Sequence, residues 1–175
     1  NNVAEIFVER DSEYGAGALG AGIYTDGGNT VVENSEITNN SAYSAYDYVY
    51  GGGVYASLVG IGEDLTMTGT GVSGNSATAL LDEAYGAGIY ASSAIELADS
   101  TIASNAVSSD TANALGGGVY LDEAELTNLT ITGNTATTTT GTAQGGGVYH
   151  AGLNVTAYHL TVVDNTADQG GGVYT

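Results

Sequence analysis

Apolar and polar residues alternate with a period of two in short stretches of this chain, and the stretches recur about every 30 residues. The clearest recurring segment is Gly-x-Gly-Val/Ile-Tyr, called the glycine motif below. Its six copies occupy residues 20–24, 51–55, 86–90, 116–120, 145–149 and 170–174. Successive copies begin 25 to 35 residues apart, a spacing that indicates a repeat architecture.

A second motif, Ile or Val followed three positions later by asparagine, alternates with the first. Its asparagines are Asn40, Asn75, Asn105, Asn134 and Asn165. The positions ten and eight residues before each asparagine are mostly apolar, and apolar residues recur closer to it as well, with the period-two spacing of strands that have one buried face. The pattern predicts three short strands per repeat and no helix, because no apolar stripe with helical spacing lasts more than two turns.

Strands this short cannot form a sheet within one repeat, so each must pair with the same strand of the next repeat. The sequence therefore predicts an all-β fold, a single-stranded parallel β-helix of about five to six coils that occupies residues 1–175 as one segment. Both ends of the sequence fall within a coil. We therefore expect the remainder of a longer chain, or a neighbouring copy in a filament, to cover them.

In such a coil each residue lies on its counterpart about 4.8 Å away, so equivalent residues form ladders. The Val or Ile of the glycine motif should point inward, and the tyrosine after it should point outward. The predicted outer ladder is Tyr24, Tyr55, Tyr90, Tyr120, Tyr149 and Tyr174. The five asparagines should stack at a turn, because a side-chain amide both donates and accepts hydrogen bonds.

The charge is strongly one-sided, with 20 acidic residues against a single basic one, Arg10, and a formal net charge of −19. Such a chain repels nucleic acid, anionic membranes and acidic polysaccharides. No apolar run is long enough to span a membrane, and the absence of cysteine excludes disulfides. The acidic surface serves solubility or attracts cations, among which calcium prefers oxygen ligands.

Together the two motifs resemble the repeats of the polymorphic outer-membrane proteins and, more widely, those of secreted right-handed β-helix proteins. The resemblance covers nearly the whole chain. The second motif has Ile or Val where that family usually has Phe, and the first often has Gly where the family has Ala. The resemblance implies a right-handed coil, in agreement with the general rule for parallel crossovers, and an extracellular or cell-surface stalk that is often adhesive.

An enzymatic function is not expected, although parallel β-helices include polysaccharide lyases and hydrolases. Lyases that act on uronic acids use Arg or Lys, and this chain has only Arg10. The acidic pairs Glu63-Asp64, Asp82-Glu83 and Asp122-Glu123 consist of adjacent residues, which point to opposite faces of a strand and seldom converge.

Several oxygen-bearing side chains are candidate calcium ligands, with a solvated acidic loop as the alternative. They are Asp26, Asn29, Asp82, Glu83, Asp122 and Glu123. The two histidines, His150 and His159, fall at different phases of the repeat, so we expect them at the surface and not in a shared metal site.

Four tyrosines in the insertion at residues 41–50 are a candidate recognition patch: Tyr43, Tyr46, Tyr48 and Tyr50. Tyrosine supplies rigid amphipathic contact area for proteins and sugars, and the alternative is that some of these rings pack over the coil. Three asparagines match the N-glycosylation pattern, a short signal that recurs by chance in such a sequence: Asn39, Asn128 and Asn154.

These observations predict a structural or adhesive protein of the cell surface or extracellular space that needs no cofactor. Its expected partners are other copies of itself, the rest of a longer chain, or surface glycans. A calcium- or glycan-binding module is the main alternative, and a polysaccharide-active enzyme is the least favoured one.

Overall fold

A computed structural model describes residues 3–6, 17–57 and 65–175, and all the regular elements in these ranges are β-strands. Arg10 and the pair Glu63-Asp64 lie outside the described residues. The strands are β1 Val3–Ile6, β2 Ala18–Leu19, β3 Ile23–Asp26, β4 Thr30–Glu33, β5 Glu36–Thr38, β6 Ser41–Ser44, β7 Val49–Tyr50, β8 Val54–Ser57, β9 Leu65–Thr68, β10 Gly71–Ser73, β11 Ser76–Ala79, β12 Ala84–Tyr85, β13 Ile89–Ala98, β14 Thr101–Ala103, β15 Ala106–Ser109, β16 Ala114–Leu115, β17 Val119–Thr132, β18 Thr135–Thr138, β19 Ala143–Gln144, β20 Val148–Val163 and β21 Val173–Tyr174.

The strands wind into a parallel β-solenoid of about five turns, which confirms the predicted fold class. Every strand pairs in parallel with its equivalents in neighbouring coils. One five-stranded sheet has the order β1-β6-β11-β15-β18, a second has β2-β7-β12-β16-β19, and the remaining strands form a third, larger sheet. The coil is divided more finely than predicted, because an additional two-residue strand precedes the glycine motif.

The glycine motifs stack in register, as the repeat predicts. The Val or Ile positions pair in the order Ile23, Val54, Ile89, Val119, Val148 and Val173. Val54, Ile89, Val119 and Val148 are buried there, so the first part of the coil contributes an aliphatic ladder to the core.

Each coil turns at three corners where the backbone adopts a positive φ. The corner before the glycine motif has glycine in every coil, with φ between 55° and 71°: Gly20, Gly51, Gly86, Gly116, Gly145 and Gly170. The other two corners accept Asn, Asp, Ser or His in some coils and Gly in others. They comprise Asn34, Gly69, Asp99, Asn128 and His159, and Asn39, Gly74, Ser104, Gly133 and Asp164.

Close packing requires glycine at the third position of the motif. A Cβ on Gly118 would lie 2.6 Å from the carbonyl oxygen of Gly147 and 3.1 Å from the side chain of Asn134. Because the neighbouring backbone and the asparagine approach so closely, any side chain there would push the coils apart.

The interior contains two apolar clusters of different composition. One is aliphatic and surrounds Leu65, Leu97, Ile102 and Ile131. The other consists mainly of alanine, with Val49 and Val107 as its larger members. No helix in the described ranges is long and apolar enough to cross a membrane.

Candidate functional site

The five asparagines form one hydrogen-bonded ladder inside the solenoid. In each step the backbone N–H and the side-chain Nδ2 of one asparagine both donate to Oδ1 of the asparagine in the next coil, at 2.9–3.0 Å. From the second asparagine onward, Nδ2 also donates at 2.9 Å to the carbonyl of Ile37, Val72, Ile102 or Ile131. The buried amides are therefore matched donor to acceptor from coil to coil, and their role is structural.

The tyrosines of the glycine motif form a second ladder, on the outside. Their ring centroids are 5.0–5.4 Å apart and the ring planes are within 19° of parallel, in the order Tyr24, Tyr55, Tyr90, Tyr120, Tyr149 and Tyr174. Tyr24 is 52% exposed and the others are partly buried.

Three further tyrosines widen this ladder. Tyr50 lies 4.4 Å from Tyr90 and 4.7 Å from Tyr85, ring centroid to ring centroid. Tyr85 also contacts Tyr120 edge to face at 5.3 Å, and Tyr48 lies 4.9 Å from Tyr50. The nine rings form one continuous patch, called the tyrosine surface below: Tyr24, Tyr48, Tyr50, Tyr55, Tyr85, Tyr90, Tyr120, Tyr149 and Tyr174.

The predicted patch in the 41–50 insertion is divided by the fold. Tyr48 and Tyr50 belong to the tyrosine surface, whereas Tyr43 lies on β6, in a different sheet, and Tyr46 is an exposed residue of the turn after it. Sequence reasoning did not include Tyr85. The available signal was its position directly before a glycine motif, which it shares with Tyr50, and the two residues are paired in register.

Carboxylates border the tyrosine surface. The Tyr24 hydroxyl donates to Oδ2 of Asp26 at 3.4 Å, and the Tyr85 hydroxyl donates to Oε2 of Glu83. The other oxygen of Glu83 accepts a 2.7 Å hydrogen bond from Nδ2 of Asn113. These carboxylates accept hydrogen bonds from phenol groups of the aromatic patch.

Burial and the neighbouring groups raise the pKa values of several phenols in the tyrosine surface. Desolvation, followed by the adjacent phenols and then Glu83 and Asp82, raises the pKa of Tyr50 to about 12. Desolvation and the Asp122 carboxylate raise the pKa of Tyr120 to about 12. Partial burial also raises the pKa of Asp122, an effect that nearby His150 opposes. The tyrosine surface therefore combines aromatic rings with phenol hydroxyls and anionic carboxylates.

The candidate calcium ligands do not form one group. Asp26 and Asn29 lie near the end of β3, Asp82 and Glu83 lie before β12, and Asp122 and Glu123 lie on β17. Oδ1 of Asp82 accepts the backbone N–H of Glu83 at 2.8 Å. Within the described ranges no three His, Asp or Glu side chains are close enough together to hold a metal ion. Calcium binding stays a prediction.

An open groove of about 300 Å³ lies across β13, β17 and β20. Glu96, Glu123 and Glu125 line it together with Asn154 and Thr156. Glu96 and Glu125 are paired in register on adjacent strands, so two like charges lie side by side there. The groove is on a different part of the coil from the tyrosine surface.

The two histidines differ in their surroundings. His159 is exposed at a corner, as predicted. His150 is only partly exposed, and its Nε2 is buried and has no hydrogen-bond partner among the described residues. Its strand register explains this, because His150 pairs with the fully buried Leu121 and takes the inward position that follows each outward tyrosine.

The three candidate glycosylation asparagines are all exposed. Asn39 and Asn128 are corner residues with positive φ, and Nδ2 of Asn128 donates to Oδ1 of Asp99 at 2.7 Å. Asn154 lies at the rim of the glutamate-lined groove. Their modification stays a prediction.

Comparison with known proteins gave no significant match to any protein-family model, curated protein sequence or solved structure.

Proposed function

We propose that the protein is an extracellular or cell-surface β-solenoid with a structural and adhesive function, and that the tyrosine surface is its adhesive face. The finer resemblance to the repeats of polymorphic outer-membrane proteins is part of this proposal. It agrees with a rigid coil that carries recognition groups on its outer side.

The continuous tyrosine surface is the observation that carries the proposal. Nine of the 13 tyrosines contact one another ring to ring along the solenoid. Six of them belong to the six glycine motifs, and the other three precede two of these motifs in the sequence. Tyrosine is enriched at recognition surfaces because it offers a large contact area at little conformational cost. The buried asparagine ladder fixes the spacing of the coils that carry these rings.

Glycan binding is the second candidate, favoured by the regular spacing of the phenol groups. A row of tyrosine rings with steps of 5.0–5.4 Å can offer one hydroxyl to each successive unit of an extended neutral polysaccharide. Calcium-assisted binding and lateral association of copies remain parts of the same proposal and have no separate support.

Two measurements test the proposal. Immunogold labelling of intact source cells with an antibody against the chain is expected to decorate the outer surface or the surrounding matrix. Beads coated with the protein are expected to adhere to those cells, and a variant with Tyr24→Ser and Tyr149→Ser to adhere less. A matched variant with Tyr46→Ser and Tyr158→Ser, at exposed positions outside the tyrosine surface, should adhere normally.

Gold particles confined to the cell interior would refute the location. Equal adhesion of the two double variants would refute the assignment of the tyrosine surface as the adhesive face. Circular dichroism of each variant shows whether the coil is retained before adhesion is compared.

A further inference from the structure

The inner rings of the tyrosine surface present edges and hydroxyls rather than open faces. Tyr90 has the parallel ring of Tyr55 on one side and that of Tyr120 on the other, with interplanar angles of 8° and 19°. Tyr50 lies tilted against Tyr90 at 4.4 Å. A partner therefore meets a ridged apolar strip with phenol oxygens, instead of a flat aromatic plane.

Anionic oxygens border this strip in several coils. Asp26 accepts a hydrogen bond from Tyr24, Glu83 accepts one from Tyr85, and Asp122 is close enough to raise the pKa of both Tyr90 and Tyr120. The only basic residue of the chain, Arg10, lies outside the described residues, so no lysine or arginine of the described part neutralises these groups. The strip is thus a row of hydrogen-bond acceptors with unbalanced negative charge.

We propose that the tyrosine surface binds an extended basic segment of a partner polypeptide, rich in arginine or lysine. The methylene stems of these side chains pack against apolar ring edges while their charged groups reach outward to carboxylates and phenol oxygens. Guanidinium and ammonium groups only donate hydrogen bonds, and this strip mainly accepts them.

The dimensions suit such a segment. Six stacked rings joined by five steps of 5.0–5.4 Å match the length of an extended peptide of about eight residues, at about 3.3 Å per residue. Carboxylates near Tyr24, Tyr85 and Tyr120 then lie at intervals along the bound chain.

Charge complementarity favours this occupant over the others. A second copy of the chain brings another 19 net negative charges to the contact, and acidic glycans are repelled in the same way. A neutral glycan can donate hydroxyl hydrogen bonds to the carboxylates, but it leaves their negative charge unbalanced. The inference rests on the proposed adhesive function, because it names the class of partner that the adhesive face binds.

The test uses the full chain and two capped peptides, deca-arginine and deca-lysine, with a glycine–serine decapeptide as the neutral reference. Binding is measured by isothermal titration calorimetry at physiological ionic strength. We expect both basic peptides to bind and the neutral one not to bind. Tyrosine ring signals of the tyrosine surface, and not those of Tyr158, should shift in NMR spectra on addition of deca-arginine.

A pair of charge-matched variants separates a site from general attraction. Glu83→Gln with Asp122→Asn removes two negative charges at the strip, and Glu96→Gln with Glu125→Gln removes two in the groove elsewhere on the coil. The first pair should weaken deca-arginine binding about tenfold or more, because charge-assisted hydrogen bonds are lost, and the second pair should change it by less than about threefold. Asn is expected to be tolerated at position 122, where burial already disfavours the charged carboxylate.

Equal weakening by the two pairs would overturn the inference, since binding would then follow net charge alone. The inference would also be overturned if a neutral oligosaccharide such as cellohexaose bound and neither basic peptide displaced it. The partner of the surface would then be a glycan. Self-association in analytical ultracentrifugation that the strip variants abolish would assign the face to a second copy. Any of these results leaves cell-surface location and bead adhesion standing, so failure of the inference is separable from failure of the proposed function.

Discussion

Single residues in this solenoid are constrained by their counterparts one coil above and below more than by their sequence neighbours. Asn105 shows this most clearly: its Oδ1 accepts two hydrogen bonds from Asn75, and its Nδ2 donates to Val72 and Asn134. The residue is fully buried, so none of these groups has water as an alternative partner.

Replacing Asn105 with alanine is expected to destabilise the protein by about 3 kcal/mol or more, because several buried donors and acceptors lose their partners at once. Chemical denaturation followed by circular dichroism measures the change. Asn154→Ala, at an exposed asparagine, is the matched control and should change stability by less than about 0.5 kcal/mol. A similar small effect at both positions would show that the amide ladder contributes little to stability.

The partly buried phenols predict a loss of stability at alkaline pH. The folded-state pKa of Tyr50 and of Tyr120 is about 12, against an ordinary value of 10.0. Between these values the unfolded chain releases protons that the folded chain retains, so stability that is complete below about pH 10 falls as the pH rises toward 12. Thermal unfolding measured across this range should show the decline.

The double variant Tyr50→Phe with Tyr120→Phe should reduce that decline, because neither position can ionise. Tyr85 and Tyr90, whose pKa values burial also raises, should maintain the remainder. Tyr46→Phe, which changes an exposed ring outside the tyrosine surface, should keep the wild-type slope. An unchanged slope in the double variant would mean that other groups control alkaline unfolding.

At the scale of the elements, the two halves of the core tolerate different side chains. The strand after each asparagine contributes Ala42, Ala77, Val107 and Ala136 to a mostly alanine cluster, which lets the walls of the coil approach closely. The aliphatic cluster is built from larger side chains, mainly Leu, Ile and Val.

Ala77→Leu should therefore destabilise the protein by about 1–3 kcal/mol, since Ala77 is fully buried and leucine is larger than any side chain of the alanine cluster. Met67→Leu, a volume-conserving change at an equally buried site of the aliphatic cluster, should cost less than about 1.5 kcal/mol. Urea titration of the two variants gives the comparison. A larger loss of stability for Met67→Leu would contradict the expectation that the alanine cluster is the more tightly packed of the two.

Some strands were predictable from the sequence pattern and others were not. The glycine motif and the asparagine motif predicted their strands and register, because each motif occurs once per coil at a similar spacing. The two-residue strand before the glycine motif, exemplified by Val49–Tyr50 and Ala84–Tyr85, has no such signature. Its residues range from Tyr to Leu to Gln at one ladder position, so only the pairing reveals it.

At the scale of the whole molecule, stability should depend on ionic strength. The chain carries a formal net charge of −19, and ladders place like charges on adjacent strands, as for Glu96 and Glu125. Screening by salt weakens this repulsion. We expect the melting temperature to rise between low and high sodium chloride, by about 2–4 °C for each kcal/mol of stability gained.

Calcium chloride and magnesium chloride at matched ionic strength provide the control for a specific site. Charge screening alone predicts that the two salts raise the melting temperature equally. A larger shift with calcium, reversed by a chelator, would instead establish the predicted calcium site. Differential scanning calorimetry is the appropriate measurement.

The sequence by itself determined the parallel solenoid, the stacking of the glycine motifs and the inward direction of their Val and Ile residues. A repeat with a period of about one coil places each residue next to the equivalent residues of the neighbouring coils. Only the tertiary structure decided that Tyr48, Tyr50 and Tyr85 join the tyrosine ladder and that His150 points inward. These outcomes depend on how separate strands of the coil fold toward one another at its corners. Distances across a corner are set by backbone geometry and packing, and the pattern of residues along the chain does not contain this information.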